Sequence, residues 1–520
     1  MSETTSHSAT RRRRLFEGML VALLVLSVAV WRFGPTIADP DLWGHLLTGL
    51  ETLEAGSYLS VDSWSYLTEG QEWINHPWLG QAAMALTYHY LGSVGLVALK
   101  ALLALGTVAI LFWWSIRSGL PPVRAGVLTL LSVLALAPTL GTFRPQIFTV
   151  VGFVVVLLVM SGVENGTVRL LWILPPLFAL WANLHGGYLA GLAFVGAWAL
   201  IHLWEDRSRG RYWPLAAFLA SVLAGLANPQ GWRRLQFLLE TASVPRPEIQ
   251  DWQPIDLTSA VGIGYLALVA VVVSALLLDR RNVKWALALP LVGLAIAPVV
   301  AWRHLQLFAP AAIVLGAVHV NRAFGDTGSS GHDDRLDPAQ NKTIALALAT
   351  VVVATSAALG GLSPCIRVDA DQFEFPQRVV SGWAAADARG NAVVPFNWGE
   401  YVRWHLGPEV LVSIDGRRET IYSTEVHELN LDFMAGRDNW EDLLDLAPAD
   451  WILAPTGSPV VDRVTDAGDW HVAYRDREAI LLSPGQIAID GNDGLPIDGE
   501  GSCFPAGPTD RGGESFLAKT

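Results

Sequence analysis

A chain of 520 residues with 52% hydrophobic side chains, only 16% charged ones and a positive mean hydropathy is too apolar for an ordinary water-soluble protein. Its formal net charge of −13 argues against a nucleic-acid partner. What remains is the membrane class.

Apolar stretches of roughly 17 to 24 residues, each able to cross about 30 Å of hydrocarbon as a helix, recur from Leu15 to Leu362. About eleven spans are predicted. They lie near residues 15–34, 95–116, 122–140, 146–162, 169–184, 187–204, 213–228, 260–279, 285–301, 305–321 and 343–362. The first follows Arg11 to Arg14 and lacks a small-residue cleavage site before Trp31 and Arg32, so it reads as a retained helix rather than a signal peptide. With residues 1–14 in the cytoplasm, the inner loops collect Arg117, Arg124, Arg169, Arg207, Arg209, Arg211, Arg280, Arg281, Lys284, Arg322, Arg335 and Lys342. The outer loops hold fewer basic residues, which is the asymmetry of the positive-inside rule. The amino terminus is therefore expected inside, and everything after Pro364 outside. Asn165-Gly-Thr matches a glycosylation acceptor but falls on the inner side.

The first outer segment, residues 35–92, opens on Asp39-Pro-Asp41. A short helix is expected over Asp41 to Glu54, with Asp41 as its cap and Leu42, Leu46, Leu47 and Leu50 as an apolar stripe. A second is expected from Pro77 through Tyr90. Both are too short and polar to span and should lie along the interface. Polar residues gather at outer span ends: Asp39, Asp41, His76, Arg144, Asn183, His185, Arg303 and His304 among others. Such turns as Arg144-Pro-Gln, Asn183-Leu-His-Gly-Gly and Trp302-Arg-His put donors and acceptors where a hydrophilic cavity would open, although polar interfacial loops are also ordinary.

After the membrane domain, residues 15–363, comes a linker from Gly325 to Asn341 within its last inner loop and then an acidic exported domain, residues 364–488. Strand-like runs at Ala392–Phe396, Val410–Ile414, Trp451–Ala454 and Ala479–Leu482, with helical patterning at Thr424–Met434 and Asn439–Leu446, suggest a small α/β fold. Residues 489–520, rich in Gly, Asp and Pro, are expected to be disordered. Cys365 and Cys503 both fall on the oxidising side, where either a bridge or two unrelated thiols is possible. The fold class read from the sequence is thus an α-helical polytopic membrane protein, amino terminus in and carboxyl terminus out, with a small extracytoplasmic α/β domain.

Several phrases resemble one family: Asp39-Pro-Asp-Leu-Trp-Gly-His-Leu, Asp62-Ser-Trp-Ser-Tyr, Trp73-Ile-Asn-His-Pro-Trp-Leu, Phe143-Arg-Pro-Gln, Trp181-Ala-Asn-Leu-His-Gly-Gly, Asn228-Pro-Gln-Gly, Phe396-Asn-Trp-Gly-Glu-Tyr and Ile414-Asp-Gly-Arg. Together with the retained first span and the exported domain they resemble the GT-C class of integral-membrane glycosyltransferases, in an uncharacterised bacterial branch. The likeness runs from about residue 35 to 485. It implies a plasma-membrane enzyme that moves a sugar from a polyprenyl-phosphate carrier to an acceptor at the outer face. An aspartate, Asp39 or Asp41, would be the general base, with Asp39 favoured because Asp41 serves as cap. Arg144 and Arg303 would meet the departing phosphate. His76, His185, His304 and Asn183 would bind phosphate or sugar.

Plainer readings stand beside these. The aspartate pair can be a cap and turn, or hold a divalent cation, although no further ligand set is apparent. The arginines can anchor span ends at headgroups, His185 can be a packed residue, and Asp415-Gly-Arg is ordinary turn chemistry. A lipid flippase or transporter is the alternative function, disfavoured by the lack of an internal hydropathy repeat. A scaffold presenting the exported domain comes third.

Overall fold

The chain was described through a computed structural model, in which residues 2–241, 244, 246, 249–325, 350–351, 354–355, 365–368, 375–489 and 502–505 are placed. It divides into two compact units: Met1–Thr36 with Val97–Ser363, and Ile37–Leu96 with Pro364–Thr520.

The first unit is a helical bundle. Among the described residues seven helices are long and apolar enough to cross a membrane: Phe16–Phe33, Trp78–Arg117, Pro122–Gly141, Gln146–Glu164, Tyr188–Glu205, Ala260–Leu278 and Trp302–Phe324. Each coincides with an expected span. The spans expected at 169–184 and 285–301 meet shorter apolar helices, Val168–Leu184 and Trp285–Val299. In the first of these the α-helix starts only at Leu174, where Pro175 and Pro176 occupy the initial turn that needs no backbone N–H. The stretch 213–228 holds the 12-residue helix Trp213–Ala224. The stretch 343–362, like the expected linker from 326 onward, lies almost wholly outside the described residues.

Within the bundle the first helix packs along Pro122–Gly141, which also meets Ala260–Leu278 and Leu305–Phe324. Leu102, Leu200, Leu219, Leu223 and Leu277 stay exposed on the helices, as a lipid-facing surface requires. Lys100 is buried in the span that ends at Arg117, at 1% exposure. Its ammonium donates to Phe33 O (2.7 Å), Thr36 Oγ1 (2.8 Å) and Gly141 O (2.6 Å). Phe33 and Gly141 are the last residues of their helices, so the cation meets carbonyls that have no intrahelical partner and carry the negative end of the helix dipole.

The second unit joins the first outer segment to the carboxyl-terminal region. Its sheet has five strands in the order β3-β2-β4-β6-β5. These are β2 (Gly390–Val393), β3 (Val410–Val412), β4 (Trp451–Pro455), β5 (His471–Arg475) and β6 (Ala479–Ser483). β2 runs parallel to β3 and β4, whereas β6 is antiparallel to both β4 and β5. Behind the sheet Phe433, Leu443, Val460 and Val464 pack on Val393, Ile452, Ile480 and Leu482. The free edge of β3 is covered by the outer segment: Val412 N–H donates to Trp64 O (3.0 Å) and Tyr66 N–H to Val412 O (3.2 Å), which removes an exposed sheet edge.

Four of these strands meet the apolar runs picked from the sequence, and the helix Thr424–Met434 has the expected bounds, capped by the Ser423 side chain. β5 went unforeseen because it is an edge strand with exposed residues and a bulge between Val472 and Tyr474. Cys365 and Cys503 form a disulfide, with Cα atoms 5.7 Å apart. Beside it β1 (Arg367–Val368) pairs with β7 (Ser502–Cys503), and the neighbouring Phe504 ring packs on Trp43, Tyr88 and Trp404. The rest of the expected disordered tail lies outside the described residues.

Candidate functional site

The segment after the first helix is pinned early: Ala38 N–H donates to Arg367 O (2.8 Å). The helix that follows spans Asp41–Ala55 and ends where Gly56 takes a left-handed conformation (φ 59°). Asp41 is its first residue and not its cap. Pro40 is already helical (φ −54°, ψ −32°), so the turn begins earlier than expected and Asp39 does the capping, its Oδ1 accepting the Asp41 N–H (3.1 Å). Asp39 is buried, at 1% exposure, whereas Asp41 is half-buried. The reason for preferring Asp39 over Asp41 as a base is thereby reversed.

The helix expected from Pro77 through Tyr90 starts at Trp78 and breaks at Gly92, whose non-helical angles (φ 61°, ψ −158°) separate it from the span that ends at Arg117. His76 sits half-buried just before it.

Around the Asp41 helix lies a buried charged cluster that sequence reasoning did not assemble. Arg417 Nη1 donates to Asp62 Oδ1 (2.6 Å). Its Nε and Nη2 donate to Asp415 (2.9 and 2.7 Å), and Trp64 and Trp73 lie 4.4 and 4.9 Å from its guanidinium carbon. Tyr422 Oη donates to Asp415 Oδ2 (2.8 Å) and Thr68 Oγ1 to Asp62 Oδ2 (2.6 Å). Burial works against the Arg417 charge, but Asp415, Tyr422 and Asp62 outweigh it and hold the group firmly protonated. Both Glu51 carboxyl oxygens accept from the Trp64 Nε1–H (3.2 and 3.0 Å), and burial raises the Glu51 pKa.

Glu400, on the helix Gly399–Leu406, belongs to the same cluster. Its Oε2 accepts the Gly44 N–H (3.1 Å). A Cβ on Gly416 would stand 2.8 Å from both Asp41 Oδ1 and Glu400 Oε1. One turn along from Glu400, the buried Arg403 leaves Nε and Nη1 without a hydrogen-bond partner among the described residues. The sequence signals were present in Phe396-Asn-Trp-Gly-Glu-Tyr and Asp415-Gly-Arg, but nothing local says that the two phrases meet Asp41.

The other expected site residues belong to the bundle. Asn183 Nδ2 donates to Ala179 O and Ala227 O, both at 2.8 Å. His185 Nδ1 accepts the Gly187 N–H (3.1 Å) and lies 2.8 Å from Thr149 Oγ1. That leaves the ring proton on Nε2, as a donor. Arg303 stacks on Trp252 at 4.3 Å and shares that ring with Arg246 at 4.0 Å. His304 follows it in the 3-10 turn Trp302–His304. Arg144 occupies the turn between Pro122–Gly141 and Gln146–Glu164. The structure thus joins Asp39 to Asp41, and Arg303 to Arg246 across Trp252, while Asn183 and His185 hydrogen-bond to separate sets of residues.

A cavity of about 440 Å³ in the bundle is lined by Glu164, His202, Glu205, Asp206 and Lys284. Its central carboxylate is already engaged by Trp198 (3.0 Å), His202 (2.7 Å) and Lys284 (3.3 Å). Among the described residues no group of three or more His, Cys, Asp or Glu is placed to hold a metal ion.

No protein-family model matches the sequence, and no curated protein matches it. Among solved structures, the chain is similar to the crystal structure of ArnT from Cupriavidus metallidurans bound to undecaprenyl phosphate. The TM-score is 0.52 at 12% identity, over 91% of this chain and 98% of that one. The apo state of the same protein gives 0.50 at 12%, over 92% and 98%. The arabinofuranosyltransferase AftD from Mycobacteria gives 0.48 at 18%, over 93% of this chain and 40% of AftD. At such identities the ArnT likeness is one of fold, and it runs almost end to end.

Proposed function

We propose that this chain, whose fold is that of the GT-C integral-membrane glycosyltransferases, moves a sugar from a polyprenyl-phosphate carrier to an acceptor hydroxyl at the outer face of the plasma membrane. The observation that carries the reading is the nearly full-length likeness to ArnT, a protein whose structure is bound to undecaprenyl phosphate. The outward orientation of the second unit follows from the basic residues of the inner loops.

Asp41 is the general base in this reading. It is half-buried where Asp39 is buried and occupied with the Asp41 amide, so its carboxylate is the more accessible of the two to an acceptor hydroxyl. Asp39 holds the turn that presents it. Arg144 and Arg303 meet the phosphate as it departs with the carrier. The Arg303 guanidinium lies over the Trp252 ring, 4.3 Å from its centre. His185, with its proton on Nε2, and His76, His304 and Asn183 bind the sugar or its phosphate.

The test is transfer from a polyprenyl-phosphate-linked sugar by the full-length protein in lipid vesicles. Asp41→Asn should lower the rate about 10²- to 10⁴-fold, the usual worth of a general base, whereas Asp39→Asn should cost less. Full transfer by Asp41→Asn would remove the assignment, and lipid translocation without transfer would favour a flippase.

A further inference from the structure

Glu400 has no part in the transfer as described, yet three glycines from three segments make room for its side chain and its surroundings. A Cβ on Gly44 would stand 2.1 to 2.4 Å from the Glu400 carboxyl. One on Gly416 would stand 2.8 Å from Glu400 Oε1 and 2.8 Å from Asp41 Oδ1. One on Gly399 would meet Ile414 O at 2.1 Å and Asp415 at 2.8 Å. Only residues without a side chain let the two carboxyls flank the same backbone.

The charged groups near Glu400 come from three elements. Asp41, with the Gly44 amide, belongs to the helix Asp41–Ala55; Asp415 and Arg417 stand in the turn after β3; Arg403 is on its own helix. Burial first, then Asp41 and Asp415, keep the Glu400 carboxyl protonated well above the ordinary carboxylate range, against the pull of Arg417 and the Gly44 amide. The unfilled donors of Arg403 give the same buried cluster spare hydrogen-bonding capacity.

We propose that Asp41 and Glu400, which flank Gly416, work as one carboxyl pair in which Glu400 steers Asp41 toward the acceptor hydroxyl, so that the carboxyl-terminal domain supplies a positioning residue for the transfer. This rests on the reading of Asp41 as base. In the step itself the bond between the sugar's anomeric carbon and the carrier phosphate oxygen breaks. The acceptor oxygen bonds that carbon, its proton passes to Asp41, and the electron pair leaves with the polyprenyl phosphate. Glu400 neither gains nor loses a proton in the cycle.

Because burial and its neighbours keep the proton on Glu400, the rate should have an alkaline limb. Ionising Glu400 as pH rises puts a charge beside Gly416 and Asp41 and switches transfer off. Glu400→Gln keeps a donor and cannot ionise. The full-length protein in vesicles, assayed for kcat/KM against pH, should keep its rate at pH 7 within about fivefold in E400Q and lose the alkaline limb. An alkaline limb unchanged in E400Q, with Asp41→Asn inactive, overturns the pair and leaves the transferase reading standing. Activity retained in Asp41→Asn overturns that reading first.

If E400Q does not fold, infrared titration of the wild-type protein decides. A protonated-carboxyl band should persist at pH 7 and titrate at a lower pH in Asp41→Asn than in the wild type, if the neighbouring charge helps hold that proton. Absence of the band at pH 7, or indifference to Asp41→Asn, overturns the proposal.

Discussion

Lys100 in the bundle and Arg417 in the second unit are both buried cations, and they are stabilised by different means. Lys100 has three neutral oxygens, two of them the last carbonyls of helices. Arg417 has two carboxylates and lies against two indole rings. An ammonium with three donors can be satisfied by backbone carbonyls that would otherwise be orphaned, so no second charge enters the apolar bundle. A guanidinium is a planar fork with five donors and is suited to carboxylates on more than one side. The first solution ties helix ends together; the second joins the segment carrying Asp62 to the turn carrying Asp415, 355 residues away from it in sequence to Arg417.

The two solutions should fail differently. Arg417→Met leaves Asp62 and Asp415 buried without their cation, an arrangement that costs about 3 to 5 kcal/mol. Thermal unfolding of the full-length protein in detergent should show a midpoint about 10 °C lower. Arg417→Lys should recover only a minor part, since one ammonium cannot reproduce the fork or the contact with Trp64 and Trp73. Lys100→Met removes a buried charge as well as its hydrogen bonds, so only the unpaired oxygens count against it. About 2 kcal/mol is expected. A larger fall for Lys100→Met than for Arg417→Met would reverse the comparison.

That contrast follows what the sequence makes legible. Spans are local, and hydropathy alone located seven of them, because each helix satisfies its own backbone in lipid. Thr424–Met434 was legible for the same reason, with its cap and period contained in one short segment. Lys100 stood in plain view as an ionisable residue inside a span, but its partners, Phe33, Thr36 and Gly141, are fixed only by packing. The Asp39-Pro-Asp41 motif was legible as a motif while its roles were not, because the φ and ψ of Pro40 decide which aspartate caps. Glu400, Asp415 and Arg417 sat within phrases already singled out, and only tertiary structure brings them to Asp41. The pairing of residues 64–66 with the edge of β3 had no local sign at all.

The units also differ in how they bury histidine, and this gives the smallest predicted effect. In the bundle, His202 and His319 each lie 2.7 Å from a carboxylate, Glu164 and Asp279. In the second unit His405 is buried against the Tyr401 ring, 4.5 Å away, and burial pulls its pKa down to about 3. The unfolded chain binds a proton there near pH 6.5 and the folded chain does not. The stability it supports is therefore complete above pH 6.5 and declines as pH falls toward 3. Between pH 6.5 and 5 the loss should be about 2 kcal/mol. Glu400 acts with the opposite sign, since its raised pKa makes stability decline as pH rises from about 4.5. The unfolding midpoint of His405→Phe relative to the wild type should therefore climb as pH falls from 6.5 to 5, because the variant keeps the Glu400 slope and loses the opposing one. A pH slope in His405→Phe identical to that of the wild type would take His405 out of the balance, and His427, whose pKa burial pulls down to about 4, would be the next group to substitute.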